Sequence, residues 1–224
     1  MLLLTKNEME SKSIEPWTNL VNNASKAYRD YFEFEEKYLA DNIVKGGVCI
    51  DVGCGDGRTL ETIAKYSNFV IGIDNDENAI TLAENNTKHL DNVYIYNMDA
   101  EDLRAFLFLQ ADNIFIGGFT FCNFGHTRKK ILEVISKKMK DNGNLIFSVY
   151  NENALEERLT MYKQIFSDIY VVNSQTGLVV VNNGKIFSEQ FSQKKLEKIL
   201  KNNEFKIEDI QRGEIFYMVN CSKN

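Results

Sequence analysis

The sequence predicts an α/β fold, an open and mostly parallel sheet with helices on both faces. Between residues 48 and 150, short apolar runs alternate with amphipathic stretches. Each crossover must return the chain to the same end of the sheet, so the runs pair in parallel and right-handed connections cover both faces. The first run closes on Asp51 and is followed by glycines at 53, 55 and 57, the pattern of a strand turning sharply into a helix. At 224 residues, with 44% hydrophobic and 26% charged side chains, the chain fits one well-buried domain and not two.

The elements follow in order. The first ten residues read as a frayed terminus, and the single proline, Pro16, suits the first turn of a helix. From 17 to 43 the pattern is helical, with Leu20, Ala24, Ala27, Tyr31, Phe34 and Tyr38 recurring at three- and four-residue steps. Tyr28, Tyr31, Phe32, Phe34 and Tyr38 exceed what one buried stripe needs, so this helix either packs on the core or covers a ligand cleft. Strands are expected at 48–52, 69–74, 93–98, 113–118 and 144–150, and helices at 58–66, 77–88, 101–110 and 128–139. Beyond Tyr150 the rhythm changes: a helix at 154–166, the strand-like YVVN, then β-branched runs on either side of Asn183-Gly184. That dipeptide is a strong hairpin signal because both residues tolerate positive φ. A helix at 193–202 and two strands, KIEDI and FYMVN, complete the chain. The expected layout is a single domain over 1–224, with a helical cover at 1–43 and a substrate-side insertion with its hairpin at 151–192.

Composition narrows the partners. A net charge of -6 and an isoelectric point near 5.1 provide no electrostatic footprint for duplex DNA or an anionic membrane, which disfavours nucleic acid. The opening MLLLTKNEME lacks a basic region and a long apolar segment, and no window approaches the ~20 apolar residues of a membrane span, so a cytoplasmic protein with no membrane partner is expected. Cys49, Cys54, Cys122 and Cys221 form no CxxC pair and no zinc-spaced cluster with His89 or His126; they read as packing residues, with no metal site.

A bare strand-to-helix turn lets a ligand lie against the main chain, at the sheet edge where open parallel folds collect ligands. Three details separate the candidate ligands. Arg58 stands where a dinucleotide fingerprint requires its third glycine, the Gly-Lys-Ser/Thr of a phosphate-cradling loop is absent, and Asp51 would repel a pyrophosphate. A carboxylate there suits a ligand with a cationic end. Asp74, 21 residues beyond Gly53 at the end of the second strand, lies at the spacing of an acid that holds ribose hydroxyls, while Asp76 is better placed to cap the following helix. Asp99 reaches the same rim, where capping of AEDL and a ligand role are both open.

IDVGCGDG, GIDNDENAI and NMDAEDL, in this order and spacing, resemble the first three motifs of the class I S-adenosylmethionine-dependent methyltransferases. The resemblance implies a Rossmann-like, doubly wound, seven-stranded sheet, mostly parallel with an antiparallel last strand. It implies that S-adenosylmethionine is the cofactor, that Gly53, Cys54, Gly55 and Gly57 line its methionine and ribose portion, and that Asp51 holds the loop and the methionine ammonium. Asp74 would hold the ribose hydroxyls, Asp99 with Ala100 would approach the adenine, and Asn75 and Gly117 are further candidate cofactor-binding residues. IFIGGFTFCNF departs from the family pattern after the fourth strand, where the acceptor is usually defined.

A sulfonium methyl is already electrophilic, so alignment of the acceptor and exclusion of water carry much of the catalysis. His126, after the fourth strand, is the candidate base and Tyr28 a second candidate catalytic group; Tyr31, Asn123 and Tyr150 could line the same space. The hairpin and the first helix are expected to form a lid over a small molecule, so that deleting 178–187 should weaken acceptor turnover and spare cofactor binding. Lysines at 129, 130, 137, 138 and 140, and at 194, 195, 198 and 201, read as solvated helix faces. The expected function is methylation of a small-molecule acceptor at nitrogen or oxygen by a monomer or homodimer. The alternatives are an RNA or protein methyltransferase and a non-catalytic S-adenosylmethionine-binding module.

Overall fold

The computed structural model describes residues 24–224. The expected start of the first helix, with Pro16, Trp17 and Leu20, lies outside them; within them α1 spans Lys26–Asn42. Then come β1 (Val48–Val52), α2 (Leu60–Tyr66), β2 (Phe69–Asp74), α3 (Glu77–Thr87), β3 (Val93–Asn97), β4 (Ala111–Ile116), α4 (Arg128–Lys138) and β5 (Met139–Tyr150). The remainder is α5 (Leu155–Ile165), β6 (Ile169–Asn173), β7 (Leu178–Val181), β8 (Ile186–Ser188), α6 (Gln193–Asn202), β9 (Phe205–Arg212) and β10 (Phe216–Lys223).

The main sheet has seven strands in the order β3-β2-β1-β4-β5-β10-β9. β1 to β5 pair in parallel, whereas β10, the last strand in sequence, inserts antiparallel between β5 and β9. The central runs Cys49–Ile50, Ile114–Ile116 and Leu145–Phe147 are buried without alternation because helices cover both faces. The strand order reverses between β1 and β4, so their carboxyl ends open the crevice where ligands collect in such sheets.

One expectation is corrected here. The helix expected at 101–110 is a 3-10 stretch, Ala100–Ala105, in which Leu103 is the one fully buried side chain and after which Phe106 leaves helical geometry. One buried side chain stabilises one turn; Leu107 and Phe108 beyond it stand exposed. The expected hairpin is β7–β8, and the strand-like YVVN, as β6, pairs with it to make a three-stranded antiparallel sheet, β6-β7-β8. The hairpin turn spans residues 182–185, with positive φ at Asn182, Asn183 and Gly184 (54°, 53° and 81°), and the Lys185 N–H donates to the Asn182 carbonyl at 3.1 Å across the Asn183-Gly184 pair. Among the described residues no helix is long and apolar enough to cross a membrane.

Candidate functional site

The site is built first from the β1–α2 turn. Gly53 adopts φ 75°, and a Cβ there would stand 2.5 Å from the Thr120 methyl, so the turn needs glycine for both conformation and space. Gly55, at φ 57°, would carry a Cβ into open space on the cavity side. The turn is pinned from β2: the Gly53 and Cys54 N–H groups donate to the Ile73 carbonyl at 2.8 and 3.0 Å. One Asp74 carboxylate oxygen accepts from the Gly55 N–H and the other from the Asp76 N–H, each at 3.0 Å. Burial raises the Asp74 carboxyl above its ordinary range against the pull of those N–H groups. Each oxygen retains capacity for a second donor, which suits a vicinal diol.

Asp51 is buried and accepts from the Thr59 hydroxyl at 2.7 Å. Burial pushes it up to about 7, and the Thr59 hydroxyl opposes that rise. Asp76 caps α3 by accepting from the Asn78 N–H at 2.9 Å, which leaves Asp74 to the turn. Asp99 precedes the 3-10 stretch without capping it through its side chain; instead it accepts from the Asn75 amide at 2.9 Å. Asn75 thereby couples the rims of β2 and β3.

The opposite wall comes from α1, the β4–α4 loop, the end of β5 and the insertion, and together the two walls enclose about 820 Å³. Phe119 sits at φ 64°, a conformation that costs a bulky residue energy. Stacking holds it there, with ring centroids 4.1 Å from Tyr31 and 3.7 Å from Tyr150. The Tyr28 hydroxyl donates to that of Tyr150 at 3.1 Å, and both residues line the cavity. Burial raises both phenols well above their ordinary value, so each is a neutral hydroxyl. From the insertion, Asn182, Lys185, Ile186 and Phe187 line the same space.

Glu35 joins the walls. It is fully buried on α1, pairs with Arg58 of the glycine turn, receives the Tyr31 hydroxyl, and accepts the Gly118 N–H at 3.0 Å. Sequence reasoning missed it, although a signal existed: Glu35 occupies the stripe of Tyr28, Tyr31 and Tyr38, where a carboxylate needs a partner, and Arg58 replaces the expected third glycine.

Of the residues expected to form the site, Asp51, Gly53, Cys54, Gly55, Asp74, Asn75, Asp99, Ala100, Gly117 and Tyr28 all line the cavity. Gly57 stands behind the turn, where a Cβ would press within 3.3 Å of the Ala83 backbone, so its part is helix packing. His126 is a correction: it is exposed on a 3-10 turn, while its neighbours Phe124 and Thr127 face the cavity and it does not. That turn rotates successive side chains by a third of a revolution, and His126 falls on the solvent side.

Comparison with known proteins agrees with this geometry. Residues 43–204 match the family described as "Methyltransferase domain". A probable cobalt-precorrin-6B C(15)-methyltransferase (decarboxylating) of Methanococcus maripaludis is 32% identical over 123 residues, 50% of this chain and 64% of that relative. The match thus spans less than two thirds of the relative's length. An S-adenosylmethionine-dependent methyltransferase of Clostridium acetobutylicum superposes with a TM-score of 0.68 at 15% identity, covering 92% of this chain and 96% of that one. Magnesium protoporphyrin IX methyltransferase of Synechocystis, solved with bound S-adenosylhomocysteine, gives 0.67 at 14% identity with 98% of each chain covered. At these identities the two structures share the fold.

Proposed function

The chain belongs to the methyltransferase-domain family, the class I S-adenosylmethionine-dependent methyltransferases, and from that premise we propose that it methylates a small molecule at nitrogen or oxygen, with S-adenosylhomocysteine as by-product. The observation that carries the proposal is the two-sided cavity: an acidic wall beside a bare turn faces an aromatic wall beneath the inserted sheet.

The acidic wall fits the donor. Asp74 presents two carboxylate oxygens with spare capacity to ribose hydroxyls, Asp99 and Ala100 flank the adenine, and Asp51 with the turn of Gly53, Cys54 and Gly55 receives the methionine end. S-adenosylmethionine, when bound, supplies an electrophilic methyl on a sulfonium. Tyr28, Phe119 and Tyr150 give the acceptor flat surfaces to align on, and the insertion excludes water. With His126 outside the cavity and both phenols held neutral, alignment is the main contribution of this wall. A small acceptor is supported by the enclosed volume and by the small-molecule substrates in the relatives' names.

A second reading, methylation at carbon, is favoured by the C(15) acceptor in the name of the Methanococcus maripaludis relative. Incubation of the protein with a metabolite library and methyl-labelled cofactor, followed by mass spectrometry and carbon NMR of the product, tests both. A labelled metabolite is expected, and its chemical shift identifies the methylated atom. Label recovered only in RNA or protein, or cofactor bound without any product, would overturn the proposal.

A further inference from the structure

Charge is divided unevenly across the cavity. Every carboxylate that lines it, Asp51, Asp74 and Asp99 among them, belongs to the wall built from the ends of β1, β2 and β3. Among the described residues, the wall from α1, the β4–α4 loop, β5 and the insertion contributes none, and its one lining cation is Lys185 on the hairpin turn. Lys185 forms no ion pair among the described residues.

Behind this second wall lies Arg158 of α5, with 0% exposure. Its guanidinium donates to the carbonyls of Gly177 and Ser188, each at 2.9 Å, and more weakly to the Gln190 side-chain oxygen at 3.4 Å. Its Nε has no hydrogen-bond partner, and no carboxylate among the described residues pairs with it. The guanidinium covers the ring of Tyr150, 4.6 Å from the centroid, and Tyr150 lines the cavity. The carbonyls explain how Arg158 ties α5 to the three-stranded sheet within the insertion. They supply dipoles and no net charge, so a buried cation is left without a counter-ion, an arrangement that burial penalises. Two carboxylates stand near this wall without lining the cavity: Glu35 on α1 is paired with Arg58, and Glu157, which influences Tyr28, is engaged by the Ser25 hydroxyl at 3.1 Å. The Tyr150 hydroxyl accepts from Tyr28, which leaves its own proton for a ligand in the cavity.

We propose that this wall takes a planar acceptor bearing a carboxylate, held between the Lys185 ammonium at the mouth and the Tyr150 hydroxyl, with Arg158 supplying the buried positive charge behind it. The proposal rests on the reading that the opposite wall holds the donor, and it names the acceptor class. Neutral isosteres lose the charge-assisted contacts, and cationic amines meet a positive field from both ends of the chamber.

The test uses calorimetric titration of the full chain saturated with S-adenosylhomocysteine. The probes are 2-naphthoate, 2-naphthamide and 2-naphthylmethylamine, three ligands of one shape and different charge. Naphthoate should bind at least about tenfold more tightly than either analogue, the effect of one charged hydrogen bond. Lys185→Met, on an exposed turn, and Tyr150→Phe should each reduce that preference severalfold, and Lys185→Glu should abolish it. Equal or tighter binding of the amide or the amine, a preference unchanged in all three variants, or no binding of any probe to the loaded protein would overturn the proposal. Failure of S-adenosylhomocysteine itself to bind, measured first in the same cell, would instead overturn the donor-site reading.

Discussion

Asp74 and Asp51 show how two acids a few residues from one turn are given different tasks. Asp74 keeps both oxygens at the cavity while two backbone N–H groups hold it in place. Asp74→Ala should weaken S-adenosylhomocysteine binding by about 1.5 to 3 kcal/mol, the usual contribution of a charged hydrogen bond, and calorimetry reads this directly. Unchanged affinity would remove the ribose assignment. Asp51 is more deeply buried, and its carboxyl rises to about 7 from an unfolded value near 3.9. The native state therefore keeps a proton that the unfolded chain loses between about pH 4 and pH 7. Its contribution to stability is complete below about pH 4 and is lost as the pH rises through about 7. Asp51→Asn cannot ionise, so in ligand-free protein it should gain stability relative to wild type between pH 5 and pH 8. Urea midpoints at the two values check this; a difference that stays constant with pH would mean Asp51 is ionised throughout. Both acids were legible in the sequence because strand ends and glycine spacing locate them. Glu35 was not, because its role is defined by Arg58, 23 residues away on another element.

At the scale of elements, α1 is joined to the site by a buried ion pair as well as by packing. Glu35 contacts Arg58, Tyr31 and the Gly118 N–H at once, so α1, the glycine turn and the loop after β4 share one polar centre. Removing one partner of a buried pair typically costs about 3 to 5 kcal/mol, and the 28% exposure of Arg58 places the cost at the lower end. Glu35→Gln, which keeps size and removes charge, should lower unfolding free energy by about 3 kcal/mol and speed amide exchange at Gly118 and along α1. Slowed exchange with full stability would show the pair to be dispensable. Elements with a clean period were legible: α6 falls on the expected 193–202 and α4 stops one residue short of its expected end. The 3-10 stretch misled because a run of helix-forming residues from Glu101 onward fully buries only Leu103, and packing, not propensity, decides how far such a helix extends.

Across the whole molecule, the wall proposed for the donor is local in sequence and the wall proposed for the acceptor is not. Residues 51 to 102 supply the first in three successive strand ends, so spacing alone revealed it. The second draws on α1, the loop after β4, the last residue of β5 and the insertion, which only the folded topology brings together. Likewise the parallel half of the sheet followed from alternation and the antiparallel last strand from the family resemblance, whereas the placement of β10 between β5 and β9 is seen only in the folded sheet. This division has a thermodynamic consequence. The donor wall sits on β1 and β2 in the middle of the sheet, and Glu35 and Arg58 tie it to α1, so a ligand there binds only when the whole domain is folded. S-adenosylhomocysteine at one hundred times its Kd should therefore add about 2.7 kcal/mol to the unfolding free energy, a rise in Tm of roughly 5–10 °C for a domain of this size. Scanning calorimetry should show one transition moving as a unit, and the shift should shrink in Asp74→Ala at the same ligand concentration. The insertion lines the same cavity from the other side; if a separate low-temperature transition remained in place while the main one moved, the three-stranded sheet would unfold on its own and its closure would be decoupled from donor binding.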